Sequence, residues 1–286
     1  MTAVEQSAVP PRRLAPVWLA ALLLAIALST WLVLIERMAG MDEGPGTDLG
    51  GFGWFLGVWV TMMAAMMLPS VAPMVLLFAR VSQQRSAQRR MFVPVWVFVS
   101  GYLAVWTSFG LAAYGLYAVI SAAESGLLAW DRGGPWVAGG ALVVAGGYQL
   151  TPLKSACLSH CRTPLHFMVH GWREGRFGAV RMGVAHGSYC VGCCVGLMAA
   201  LFVVGVMSVF WMAVVAAVVF VEKVIPYGER VSRVLAVALV GLGVWMAVAP
   251  QTVPGVTEPV GAPMMIERQE PTAPMLRELQ MMSADG

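Results

Sequence analysis

Long apolar runs dominate this sequence and limit what it can fold into. They cover residues 17–35, 52–79, 92–120, 136–153, 184–206, 208–225 and 231–249. A helix needs about 20 apolar residues to cross the hydrocarbon core of a bilayer, and each run reaches or approaches that length. Only 12% of the residues are charged, about half the usual share in a soluble domain. The sequence therefore predicts an all-α protein, a polytopic transmembrane bundle of about seven helices.

Two features of these runs need a decision. The first run follows Arg12 and Arg13 and has no clear small-x-small cleavage site, so we interpret it as a retained helix and not a signal peptide. The fifth and sixth runs are separated only around Gly205–Ser208, and a single long bent helix is the alternative. Separate helices are favoured, because they keep the basic residues Lys223, Arg230 and Arg233 on the same side as the other basic loops.

The charges between the runs predict the orientation of the bundle. Basic and acidic loops alternate along the chain, and cytoplasmic loops are the ones enriched in Lys and Arg. We therefore expect residues 1–16 to be a cytoplasmic segment and residues 17–249 to form the transmembrane bundle. Residues 250–286 are polar and Pro-rich, which predicts a disordered tail on the outer side.

The cysteines and histidines are concentrated in one window of the chain. All five cysteines and all four histidines lie between Cys157 and Cys194. Ordinary membrane residues would be spread over all the helices, so this clustering indicates metal binding or redox chemistry. Thiolate and imidazole groups are ligands for Cu(I), Zn(II) or an iron–sulfur centre.

The spacing within this window suggests two groups of ligands. Cys157 and Cys161 are four residues apart and flank His160, so the two thiols share a face if the fourth helix continues. His186, Cys190 and Cys194 also recur every four residues, and Cys193 flanks that stripe. His166 and His170 are equally consistent with ligands and with surface residues of a basic loop.

A methionine cluster lies on the second run. Met62, Met63, Met66 and Met67 form two pairs spaced by four residues, followed by Pro69 and Pro73. Methionine is often a flexible core residue, but thioethers also bind soft monovalent cations. Because the second run crosses from the outside inward, we expect these thioethers near the middle of the bilayer and the thiols nearer the cytoplasm.

Several motifs together resemble a known family. They are Met62-Met63-Ala-Ala-Met66-Met67-Leu-Pro69, Tyr148-Gln-Leu-Thr-Pro-Leu-Lys154, Cys157-Leu-Ser-His160-Cys161-Arg-Thr-Pro164, His186-Gly-Ser-Tyr-Cys190-Val-Gly-Cys193-Cys194 and Glu222-Lys223. In order and spacing they resemble the bacterial predicted metal-binding integral membrane proteins of domain of unknown function 2182. The resemblance covers roughly residues 52–249. It implies a bacterial inner-membrane location and supplies no reaction.

These observations favour a soft-metal membrane protein over an enzyme. The leading hypothesis is Cu(I) transport or delivery, with metal ligands drawn from Cys157, Cys161, Cys190, Cys193, Cys194, His160, His186, Met62, Met63, Met66 and Met67. The alternatives are a membrane thiol-disulfide oxidoreductase and an assembly factor with a structural Zn site. The expected partners are the lipid bilayer, a metal ion and, as an open question, another membrane protein. No nucleic-acid partner is expected.

Overall fold

A computed structural model of the protein describes residues 15–38, 50–87, 92–122, 133–206, 208–225 and 227–252. Within these ranges the chain is helical and contains no β-strand. This confirms the all-α prediction for the described part of the chain. The predicted N-terminal segment 1–16 and the tail 250–286 lie almost wholly outside the described residues.

The described chain forms helices of very different lengths. Their bounds are α1 Ala15–Met38, α2 Phe52–Ala87, α3 Val95–Ala122, α4 Gly134–Tyr148, α5 Pro152–Arg162, α6 Pro164–Gly171, α7 Gly175–Val204, α8 Val209–Val224 and α9 Gly228–Val248. Five of them, α1, α2, α3, α7 and α9, are long and apolar enough to cross a membrane. Helices α4 and α8 have 15 and 16 residues, fewer than the usual length of a spanning helix.

Helices α2 and α7 are the most deeply buried of these five, whereas α1, α3 and α9 leave most of their side chains at least partly exposed. The exposed positions carry large apolar residues such as Leu28, Leu116 and Val237. In water such a surface would be a large aggregation-prone patch. In a bilayer it is the surface that faces the lipid chains, which agrees with the membrane class predicted from the sequence.

The chain from α4 to α6 runs antiparallel to α7 as three short helices that follow one another. Tyr148 at the end of α4 donates a hydrogen bond to the carbonyl of Gly192, while Phe167 of α6 packs against His186. The interruption begins at Gln149 and ends at Thr151, whose side chain caps α5 by accepting a hydrogen bond from the backbone N–H of Lys154. The sequence analysis left open whether the fourth helix continues; it ends here, and α5 is a separate helix.

The break predicted around Gly205–Ser208 is present. Helix α7 ends at Val204, and Gly205 follows with φ of 121°, a conformation that favours glycine because it has no Cβ. Helix α8 then starts at Val209 and runs back beside α2. The single bent helix that was the alternative is therefore wrong for this segment.

Close packing of α3 on α7 depends on small residues. A Cβ atom at Gly183 would overlap the carbonyl oxygen of Phe98, and one at Gly187 would lie 3.1 Å from the carbonyl oxygen of Tyr102. The absence of a side chain at these positions lets the two backbones approach, as small residues do where membrane helices pack closely. Consequently Tyr102 is held against the middle of α7.

Charged side chains are segregated along the bundle. We define its basic end by the described Lys and Arg residues that gather there, which are Arg80, Arg85, Lys154, Arg162, Arg173, Arg176, Arg181, Lys223, Arg230 and Arg233. An ion pair between Arg85 and Glu174 joins the end of α2 to the start of α7 at this end. Helix α2 has no charged residue before Arg80, and its part from Phe52 to Ser70, the residue beside Lys223, is about 27 Å long at 1.5 Å per residue. That length is close to the hydrocarbon thickness of a bilayer.

Candidate metal centre

Four of the five thiols meet between α5 and α7. The Sγ atoms of Cys190, Cys193 and Cys194 all lie within 4.8 Å of one another. Cys161 joins them from α5, with its Sγ 3.8 Å from that of Cys193. All four are free thiols. We call these four residues the thiol cluster.

Polar groups from two neighbouring helices converge on Cys190. The hydroxyl of Tyr102 on α3 is hydrogen-bonded to Cys190 Sγ at 3.1 Å, and Lys223 Nζ at the end of α8 donates to the same sulfur at 3.0 Å. Lys223 also lies 3.4 Å from Ser70 Oγ on α2. A cation and a hydroxyl at hydrogen-bond distance both favour the thiolate, the form that binds metals.

His186 lies one helical turn before Cys190 on α7 and is almost fully buried. Its ring packs among those of Phe98, Tyr102 and Phe167. Its Nδ1 atom is buried and has no hydrogen-bond partner among the described residues. A buried nitrogen without a partner is costly, so this imidazole is positioned to accept a ligand.

A cavity of about 180 Å³ opens beside the thiol cluster. Its described lining consists of Ser70, Val71, Pro73, Met74, Cys161, Arg162, Pro164, His186, Lys223 and Val224. Cys161 is therefore the member of the thiol cluster that this cavity reaches. The cavity lies at the level where the charge-free part of the bundle meets its basic end.

Other residues predicted from the sequence do not take part in the contacts that define the thiol cluster. The Sγ of Cys157 packs against Gly192, where an added methyl group would collide with it. The ring of His160 stacks on Tyr189 at 4.2 Å, and its Nδ1 pairs with the carbonyl of Ala156. His166 and His170 stack on each other on the exposed face of α6.

The four methionines of α2 are all buried in the core that also contains Cys190, Cys193 and Cys194. Two contacts define where they lie along α7. Trp59 stacks on Phe202 at 5.8 Å, and Ser70 reaches Cys190 through Lys223. Met62, Met63, Met66 and Met67 lie between these two levels. They therefore occupy the charge-free stretch on the side of the thiol cluster that faces away from the basic end.

A buried ion pair lies beside the site. Lys154 Nζ is 2.7 Å from Glu222 Oε1, and both side chains are almost completely buried. Ser232 donates a second hydrogen bond to Glu222, and Gln149 accepts one from Lys154. The pair joins α5, α8 and α9, so Glu222 fixes the helix end from which the adjacent Lys223 reaches Cys190.

The sequence did not predict that Tyr102, Ser70 and Lys223 would form the polar surroundings of the thiol cluster. Tyr102 is one hydroxyl in a long apolar run, and Ser70 lies between two prolines, so neither has a distinguishing pattern. Lys223 stood out as an ionisable residue at the end of an apolar run. In the sequence, however, a snorkelling lysine was an equally good interpretation.

The fold and the site together define a helical membrane protein with a thiol cluster suited to a soft metal. The model of the PpoB2 copper chaperone family matches residues 56–246. The chain belongs to this family, which agrees with the metal-binding class predicted from the sequence. No curated protein and no solved structure matches the chain.

Proposed function

We propose that this protein binds Cu(I) at the thiol cluster of Cys161, Cys190, Cys193 and Cys194 and transports or delivers it in a bacterial inner membrane. The observation that carries the proposal is the convergence of four free thiols beside a cavity at the edge of the charge-free part of the bundle. Thiolates select Cu(I) over hard cations. Membership of a copper chaperone family supports the same metal.

His186 and the methionines extend this proposal along the bundle. The buried Nδ1 of His186 offers a neutral donor next to Cys190. Met62, Met63, Met66 and Met67 lie farther into the charge-free stretch. Thioethers bind Cu(I) without adding charge, so they are suited to hold an ion that has left the thiols. Cys157 and His160 have a weaker claim, because they pack against Gly192 and Tyr189 of α7 and not against a sulfur of the cluster.

The orientation follows from the charges. The residues that define the basic end outnumber the acidic residues there, Glu174, Glu222 and Glu229. Under the positive-inside rule this end faces the cytoplasm, so the thiols take copper from that side. Because α2 ends and α7 begins at this end, the path from α4 to α6 must return across the bilayer, which supports seven crossings.

A structural Zn site is the second candidate. Four thiols are a common ligand set for tetrahedral zinc, and Cys161 would then tie α5 to α7. Structural zinc sites are closed, whereas here a cavity reaches Cys161. That opening favours an exchangeable ion. Thiol-disulfide exchange is less favoured, because disulfides are rare on the cytoplasmic side.

Metal analysis tests the proposal. The protein would be purified anaerobically in detergent, supplied with Cu(I), and analysed for copper and zinc per chain by elemental mass spectrometry. We expect about one copper per chain, lost when Cys161, Cys190, Cys193 and Cys194 are all changed to Ser. The matched control, Cys157→Ser, should retain the metal. Zinc in place of copper would support the structural site, and an absence of metal would overturn the proposal.

A further inference from the structure

The cavity beside the thiol cluster has an unusual charge for the approach to a metal site. Its described lining contains two cations, Arg162 and Lys223, and no carboxylate. The nearby carboxylate of Glu222 is buried in its pair with Lys154 and its hydrogen bond from Ser232. Lys223 donates to the sulfur of Cys190, which balances part of its charge, whereas Arg162 has no ion-pair partner among the described residues. The positive charge of Arg162 therefore repels a bare cation on its way to Cys161 and attracts an anion.

The same lining offers hydrogen-bond donors and a buried imidazole nitrogen, which suit a small molecule that carries the metal better than a bare ion. Arg162 uses one Nη atom to donate to the carbonyl of Ile225 at 2.7 Å, and a guanidinium has five N–H donors in all. Lys223 lies between Cys190 Sγ and Ser70 Oγ. The unpartnered Nδ1 of His186 is buried in the same wall.

The size of the cavity restricts what can enter it. Its volume of about 180 Å³ equals that of about six water molecules at roughly 30 Å³ each. It can admit the reacting end of a small molecule but not a folded domain. Because Cys161 is the thiol that lines it, the first exchange takes place at Cys161, and Cys193 lies 3.8 Å farther in.

We propose that the copper arrives as an anionic complex of Cu(I) with a small thiol, and that Arg162 and Lys223 hold this complex while its thiol is exchanged for Cys161. This inference rests on the proposed function and names its substrate class. In the exchange a bond forms between Cu(I) and Cys161 Sγ, and the bond between Cu(I) and the donor sulfur breaks. The thiol proton of Cys161 passes to the departing thiolate, which leaves as a neutral thiol. Copper stays Cu(I), so no oxidant or reductant is needed.

Transfer kinetics from two donors test this inference. The detergent-solubilised protein would receive Cu(I) from its anionic glutathione complex or from the cationic tetrakis(acetonitrile) complex, anaerobically in a stopped-flow instrument. We expect Arg162→Gln to slow transfer from the glutathione complex on the order of tenfold, at the low end of electrostatic steering effects. Transfer from the acetonitrile complex should not slow. The final copper per chain should be that of the native protein.

The controls separate charge from structure. Arg162→Lys keeps the charge and should restore most of the rate. Arg80→Gln removes an exposed basic residue of α2 that does not line the cavity and should leave the rate unchanged. For the native protein, raising the salt concentration should slow transfer from the glutathione complex, because added ions screen the attraction.

The outcomes distinguish this inference from the proposed function. If the native protein accepts no copper from either donor, the proposed function fails. If it binds copper normally but Arg162→Gln leaves both rates unchanged or slows them equally, only the inference fails. Equal slowing would also identify Arg162 as a structural residue whose bond to Ile225 positions α5.

Discussion

Cys190 is the residue on which the polar groups of the site converge. Tyr102 reaches it from α3 and Lys223 from α8, and the sulfurs of Cys193 and Cys194 are its neighbours on α7. Cys157, only four residues before Cys161, contacts none of these groups in the described contacts and lies against Gly192 instead. The five cysteines are therefore not equivalent, although they share one window of the sequence.

This difference predicts unequal effects of two identical substitutions. Cys190→Ser should weaken Cu(I) binding by about 100-fold or more, because changes that only perturb the groups around a ligand already cost about 10–100-fold. Cys157→Ser should change the affinity by less than about threefold. Competition against a chromogenic Cu(I) chelator measures both. Equal losses in the two variants would mean that Cys157 belongs to the site.

The sequence predicted which residue types form the candidate site better than it predicted which of these residues are in contact. The i, i+4 spacing correctly placed Cys190 and Cys194 together, because both lie on one continuous helix. The same spacing joined Cys157 to Cys161, yet Cys157 packs against the backbone of Gly192 whereas Cys161 meets the sulfur of Cys193, the next residue of α7. Spacing within a helix does not encode where a second helix crosses it.

At the scale of elements, the buried pair between Lys154 and Glu222 joins three helices near the site. The sequence motifs included Glu222-Lys223, but the sequence could not assign the partner of either residue. They are adjacent in the chain and point to different partners, Glu222 to Lys154 and Lys223 to Cys190. The pairing depends on how α5, α8 and α9 pack, and that is a property of the tertiary fold.

Removal of one partner alone should strongly destabilise the protein. Glu222→Gln leaves the charge of Lys154 buried without an opposite charge, and such losses cost about 3–5 kcal/mol. The melting temperature in detergent should fall clearly. Glu229→Gln, an exposed control at the start of α9, should have little effect. Adding Lys154→Met to Glu222→Gln should recover most of the loss, because two neutral side chains leave no unpaired charge. Without such recovery, the pair would not be the cause.

The contact between α3 and α7 makes a second prediction at this scale. Gly183→Ala should destabilise the protein by about 1–3 kcal/mol, because the added methyl group overlaps the carbonyl of Phe98 and forces the helices apart. Gly115→Ala on α3 is the matched control, since a methyl group there meets nothing within 4 Å. Thermal unfolding of both variants in the same detergent compares them. A loss in Gly115→Ala as large as in Gly183→Ala would argue against the packing explanation.

The end of α4 illustrates why helix boundaries were harder to predict than helix existence. Thr151-Pro152 has the sequence of a helix start, with a capping hydroxyl followed by Pro at the first helical position. The run 136–153 nevertheless looked continuous, because apolar composition alone does not separate one bent path from two helices. The break at Gly205 was visible because Gly205 and Ser208 interrupt the apolar run there.

At the scale of the whole molecule, the position of the site follows from the separation of charge. The thiol cluster lies where the charge-free stretch of the helices meets the basic end, and a cavity reaches it at Cys161. The methionines continue from it into the apolar region. A soft monovalent ion would move from charged thiolates to neutral thioethers along this direction, which avoids placing a fixed charge at membrane depth.

The proposed topology has seven crossings with the basic end in the cytoplasm, and labelling can test it. In a variant with all five cysteines changed to Ser, single cysteines would be introduced by Gln84→Cys after the apolar part of α2, Gly171→Cys at the end of α6 and Thr252→Cys after α9. These positions are exposed or have room for a side chain. A membrane-impermeant maleimide applied to spheroplasts should label the Thr252→Cys variant and reach the other two only after lysis.

The pattern of labelling distinguishes the proposed topology from the alternatives. Labelling of Gly171→Cys before lysis would mean that the path from α4 to α6 does not cross, leaving five spans. That result would contradict the ion pair between Arg85 and Glu174, which holds the end of α2 beside the start of α7. Labelling of Gln84→Cys and Gly171→Cys before lysis, with protection of Thr252→Cys, would mean that the protein has the opposite orientation in the membrane. The thiols would then face outward, and the copper would have to be received from outside the cell.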